Sequence, residues 1–134
     1  MNTKKPNIFF AGAGSIGTAM GNALARAGHE VCLYTIEDHV ASDINNKHYN
    51  PDYFPNARLH EKLRATTNVQ ELKNADILFL SIPSVIKVDF VLQNQEHISE
   101  EVLLVNLAKG FGCGKLTISA CLEKMVNNPV GALK

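Results

Sequence analysis

The residues best equipped for chemistry start with three glycines. Gly12-Ala13-Gly14-Ser15-Ile16-Gly17 reads GxGxxG. That pattern is common by chance, and it gains meaning only after a strand and at the opening of a helix. Asn7–Ala11 is a short apolar run suited to the strand. Ile16, Ala19, Met20, Ala23, Leu24 and Ala27 then recur at helical spacing and make one apolar stripe. In this setting Gly12 permits a tight turn, Gly14 lets the backbone approach a pyrophosphate, and Gly17 allows helix and strand to touch. Amides at the helix start face an anion, and the helix dipole adds roughly 0.3–1 kcal/mol. The chemistry expected is dinucleotide binding. The plainer alternative, a turn that holds nothing, is disfavoured by the strand and helix on either side.

The residue that reads the adenosine ribose belongs at the end of the second strand, where an acid bonds the 2′-hydroxyl and an Arg accepts a 2′-phosphate. Here the chain runs Tyr34-Thr35-Ile36-Glu37-Asp38, with no Arg or Lys. Two carboxylates repel a 2′-phosphate, which favours NAD over NADP. Ile36 is suited to pack on the adenine. Glu37 and Asp38 equally suit the start of the next helix, and His39 is the one nearby group able to offer NADP a positive charge. Farther along, Ser81–Pro83 and Ala108–Lys109 end apolar strands, where ligands of parallel sheets bind. Lys109 suits a substrate phosphate or an oxyanion forming at a carbonyl; the alternative is a solvated surface lysine. Pro83 shapes the turn under a nicotinamide, and Ser84 reads as a helix cap.

Other chemistries find little support. The histidines at 29, 39, 48, 60 and 97 form no HxxH or HExxH, so no metal site is expected. There is no GxSxG. Cys32, Cys113 and Cys121 are odd in number and make no CxxC. This argues against a disulfide framework or zinc site and for a reducing cytoplasm. Thirteen basic and thirteen acidic residues cancel, so bulk charge points to neither nucleic acid nor anionic membrane. No apolar run nears the ~20 residues of a membrane span. Tyr49, Tyr53 and Phe54 read either as a packed lid or as core under the loop, with core or loop packing favoured for most of them.

These residues need a frame to hold them. At 134 residues the chain has the length of one domain. Its short apolar runs alternate with helical patterns, which predicts an α/β fold. The expected form is a Rossmann-type doubly wound parallel sheet in three layers, αβα. Strands are expected near Asn7–Ala11, Glu30–Tyr34, Arg64–Thr66, Asp76–Ile82 and Val102–Leu107. Helices are expected over 16–27, His39–Asn46, Ser84–Asn94 and Leu116–Val126, with Gly28 as a helix stop. Asn68 and Glu71 suggest a capping box on a short helix to Asn74. Lys109-Gly110-Phe111-Gly112 reads as a loop, and Val130–Leu133 as the start of one more strand. The whole, 1–134, is expected to be one dinucleotide-binding domain, truncated before a carboxyl-terminal helical domain.

The chain resembles the amino-terminal domain of NAD(P)-dependent glycerol-3-phosphate dehydrogenases. The matching pieces are GAGSIGTAM (12–20), GHEVCLYT (28–35), INNKHYNPDYFPN (44–56), TTNVQELKNADILFLSIPS (66–84) and AKGF (108–111). Asn50 to Pro55 is more specific than the glycine loop. The resemblance implies hydride transfer between a nicotinamide cofactor and dihydroxyacetone phosphate/glycerol 3-phosphate, feeding phospholipid synthesis in the cytoplasm. It implies Ser15 and Ile16 on the pyrophosphate, Ile36 near adenine, Ile86 towards nicotinamide, and Lys109 on cofactor and substrate. Ile16 stands where the family often has an aromatic residue, and Ile36 where bacterial members often carry Arg or His. The family's main catalytic lysine belongs to a later helical domain, so 1–134 alone is expected to be inactive, and the full-length protein is a candidate homodimer. Two other readings remain: another two-domain dehydrogenase such as a ketopantoate reductase, which the Asn50–Pro55 segment argues against, and a non-catalytic nucleotide-binding module.

Overall fold

The computed structural model describes residues 5–107, 111–113 and 116–133. Eight strands follow along them: β1 (Asn7–Ala11), β2 (Glu30–Tyr34), β3 (Leu63–Thr66), β4 (Ile77–Leu80), β5 (Leu103–Asn106), β6 (Phe111–Cys113), β7 (Leu116–Thr117) and β8 (Val130–Ala132). Ile8 and Phe10 of β1 are buried in one apolar cluster, Phe9 and Ala11 in another. A strand buried on both faces must be central and covered on each side by helices. Accordingly β1 lies inside a six-stranded sheet of order β3-β2-β1-β4-β5-β8. Every pairing in it is parallel.

Four helices cover the sheet: α1 (Ser15–Arg26), α2 (Asp38–Lys47), α3 (Ser84–Gln93) and α4 (Ile118–Met125). Ala25 of α1 and Val40 and Ile44 of α2 join Ile8, Phe10, Val31 and Leu33 on one face. Val88 and Val91 of α3 and Ile118 and Leu122 of α4 join Phe9, Ala11, Leu80 and Leu104 on the other. These are the three layers expected of a doubly wound sheet. After β3 the chain crosses back to pair β4 beside β1. The strand order therefore reverses between β1 and β4, and a crevice opens at their carboxyl ends.

Several expectations need correction. The segment Val69–Asn74 is a 3-10 helix. Asn68 accepts the Gln70 amide, but Glu71 does not return to close a capping box. Its carboxylate instead takes the Thr66 hydroxyl and the Arg64 guanidinium. Together these hold Glu71 below the usual carboxylate range, the Thr66 bond contributing most. Phe111 and Gly112 belong to β6, which pairs antiparallel with β7, rather than to a loop. Helix α4 starts later than its apolar spacing suggests, because the Thr117 hydroxyl accepts the Ala120 amide and fixes the start there. Pro83, with ψ of 144°, is the last extended residue before α3, so Ser84 is the first helical residue and not its cap. Cys121 is disulfide-bonded. An odd cysteine count excludes complete pairing but not a single bridge. Cys32 is a free, buried thiol whose pKa burial pushes up to about 12.

Candidate functional site

The glycine loop joins β1 to α1 at that crevice. Gly12 turns with φ of +117°, a conformation side chains resist. Its amide donates to the Tyr34 carbonyl at 2.8 Å, tying the turn to β2. A Cβ on Gly17 would lie 2.5 Å from the Gly12 carbonyl oxygen and 2.8 Å from Ser81 Oγ. Helix and loop are therefore in contact through the space a side chain would need. Gly14 differs: the nearest neighbour of a Cβ there is the Tyr53 ring, at 3.8 Å. The loop surface over Gly14 is open to a ligand.

The loop is braced from below. Asn50 is fully buried, and its Nδ2 donates to the Ala13 carbonyl and to Thr18 Oγ1, both at 2.9 Å. Thr18 Oγ1 in turn donates to the Ala13 carbonyl at 3.2 Å. The Asn50 carbonyl accepts the amides of Tyr53 and Phe54 at 3.1 and 2.8 Å. That turn carries Tyr53 to its place beside Gly14.

The crevice is a cleft of about 560 Å³, within the range of small-molecule and cofactor sites. Gly12, Gly14, Ser15, Ile16, Ile36, Glu37, Pro83 and Ile86 line it. The sequence reading singled out all eight. Gly17 sits beneath the loop in the contact just described. Lys109 lies outside the described residues. Tyr53, read as loop packing, forms part of the wall, as do Lys87, Phe90 and Leu107. The available signal for Tyr53 was its place in the segment that holds Asn50. Lys87 stands in the apolar run Val85-Ile86-Lys87-Val88, and its neighbours were the only hint.

At one end of the cleft Ile36 is 85% exposed beside Glu37. The Glu37 amide donates to Thr35 Oγ1 at 3.1 Å, and Glu37 is the residue before α2. It serves both helix start and cleft wall, while Asp38 occupies the first helical turn. His39 Nε2 lies 2.9 Å from Asp52 Oδ2 and 3.6 Å from Glu37 Oε2. The Asp52 hydrogen bond raises the His39 pKa above its ordinary value. When the ring is protonated, its charge is shared between two carboxylates. The three ligating atoms lie within 4.8 Å of one another on exposed side chains, a clustering the ion pairs account for. At the other end the Lys87 side chain is fully buried on α3 and donates to Asn106 Oδ1 at 2.6 Å. Burial lowers its pKa. No helix among the described residues is long and apolar enough to cross a membrane.

Comparisons with known proteins place this geometry. Residues 7–134 match the family described as NAD-dependent glycerol-3-phosphate dehydrogenase N-terminus. A glycerol-3-phosphate dehydrogenase [NAD(P)+] of Desulfovibrio desulfuricans is 39% identical over 116 residues, covering 87% of this chain and 35% of the relative. One from Streptomyces griseus is 41% identical over 104 residues, covering 77% of this chain and 31% of the relative. The crystal structure of glycerol-3-phosphate dehydrogenase from Coxiella burnetii superposes with a TM-score of 0.82 at 24% identity, over 94% of this chain and 39% of that one. The chain spans about a third of the length of the curated relatives it matches.

Proposed function

The chain belongs to the NAD-dependent glycerol-3-phosphate dehydrogenase N-terminal family, and from that membership and the cleft we propose that residues 1–134 are the dinucleotide-binding domain of such an enzyme. The full protein transfers hydride between NAD(P)H and dihydroxyacetone phosphate/sn-glycerol 3-phosphate, a step towards glycerophospholipids. The observation that carries the reading is the glycine loop: Gly17 packed where no Cβ fits, and Gly14 open to the cleft.

In this reading the amides of Ser15 and Ile16 hold the pyrophosphate, with Gly12 and Gly17 shaping the loop. Ile36 covers the adenine and Glu37 accepts from the ribose hydroxyl. Pro83 and Ile86 border the nicotinamide, which supplies the hydride. Lys109 contacts cofactor and substrate, and the main catalytic lysine lies in a helical domain beyond these residues. A cradle that a side chain at Gly14 would fill fits a dinucleotide. Glu37 and Asp38, with His39 engaged by carboxylates, favour NAD over NADP. The protein works without nucleic acid, as a homodimer in full length. Its compartment is the cytoplasm, because charged phosphorylated substrates and free dinucleotides stay inside the cell; the disulfide at Cys121 removes the cysteine argument for that placement.

Calorimetry on this chain tests the cofactor half. NADH should bind tighter than NADPH, and Gly14→Val should weaken NADH by more than about tenfold, ~1.4 kcal/mol, with the circular dichroism unchanged. Equal affinities, or an unaffected Gly14→Val, would refute it. The full-length protein tests the reaction: turnover of ketopantoate alone would replace it with a ketopantoate reductase, and cofactor binding without any turnover with a non-catalytic module.

A further inference from the structure

Lys87 is the one fully buried charged residue among the described residues. An ammonium carries three donors. One goes to Asn106 Oδ1 at 2.6 Å, and the described residues give the others no partner. No carboxylate among them pairs with it. A buried cation whose other donors meet no acceptor among the described residues favours the arrival of one. Its position says which acceptor. The glycine loop lies at the end of β1, and the strands run β1-β4-β5. At about 4.8 Å per strand, the end of β5 where Asn106 sits is roughly 10 Å beyond the loop. A dinucleotide spanning the β1/β4 switch point places its nicotinamide towards β4, one strand short of Asn106. Lys87 therefore stands on the substrate's side of the cofactor.

We propose that Lys87 is a substrate-binding residue of this domain, donating from the inner wall of the cleft to an anionic oxygen of the substrate while Asn106 holds the ammonium in place. This rests on the dehydrogenase reading above. It adds a cation to the substrate end that is supplied by α3 and not by the segment after β5.

Steady-state kinetics and cofactor titration on the full-length protein test it. Lys87→Met keeps an unbranched side chain, one atom shorter, and removes the charge. It should raise KM for dihydroxyacetone phosphate by about tenfold or more, the scale of one charge-assisted hydrogen bond. The NADH Kd should stay within about twofold by the same logic, and Lys87→Arg should recover part of the KM. An unchanged KM overturns the proposal, and so does an NADH Kd that weakens as much as KM. If the wild type turns over ketopantoate instead, the function falls, and Lys87 is judged by the same split on that carboxylate. If it turns over neither, the Lys87 Cε signal, identified by its loss in Lys87→Met, is followed by NMR with NADH and added inorganic phosphate. A saturable shift supports the cation's role; none overturns it.

Discussion

The two sides of the cleft are built from different materials. Around β1, α1 and β2 the wall is organised by a backbone loop, with the Gly12 turn, open space over Gly14 and a helix seated on Gly17, and Ile16, Ile36, Glu37 and Tyr53 stand around it. Around β4, α3 and β5 it is side chains: Ile86, Phe90 and Leu107, with a lysine buried among them. A backbone wall demands particular residues at fixed spacing, because only a missing Cβ lets the chain close up. A side-chain wall accepts many residues and leaves little pattern. The first half is thus written in the sequence as glycines, and the second appears only once the helix is packed.

The sharpest way to break this contrast is Gly17→Ala. Its Cβ would lie 2.5 Å from a backbone oxygen, which cannot swing aside. Overpacking of this kind costs about 2–3 kcal/mol, and urea unfolding should show it. A variant as stable as the wild type would mean the loop is soft and its glycines incidental. Asn50→Ala should come next. It removes two donors from beneath the loop and strands the buried Ala13 carbonyl on one remaining bond, a loss of about 1–2 kcal/mol. NADH affinity should fall with it; unchanged stability and affinity would make the brace decorative. The smallest effect is at His39. Its folded pKa is raised, so the pairing with Asp52 is complete below the unfolded value and is lost as pH rises through the folded one. The pair is exposed and adds little stability. NMR titration should nonetheless show Asp52→Asn moving the His39 midpoint down; no movement would dissolve the pair.

What was legible follows the same division. The helical spacing of Ile16 to Ala27 and the apolar run of β1 let sheet, helices and glycine loop be read in advance. The stripe nonetheless misnamed the inner face of α1: Gly17, Thr18, Gly21 and Ala25 are buried, while Ile16, Ala19, Ala23 and Ala27 are exposed. The Glu71 carboxylate was misassigned because its partners, Thr66 and Arg64, are tertiary neighbours that a capping pattern does not register. In α3 hydropathy points the wrong way: Val85 is 85% exposed and Lys87 is 0% exposed. No stripe marks which side of that helix faces inward, so a lysine there reads as solvent-facing. The disulfide at Cys121 carried no local signal either.

The brace under the glycine loop also bears on the order in which the protein assembles. Asn50 and Ala13 are 37 positions apart along the chain. Closing so long a segment is an entropic expense that becomes favourable only when intervening contacts have shortened the search. The β1–α1–β2 unit and α2 must be in place before Asn50 can reach Ala13. The loop is therefore expected to take its final shape after the sheet that carries it. The amides of Tyr53 and Phe54, which bond to the Asn50 backbone carbonyl, should be among the last in this half to gain protection during refolding. The part of the chain most plainly spelled in sequence is the part that folding completes late.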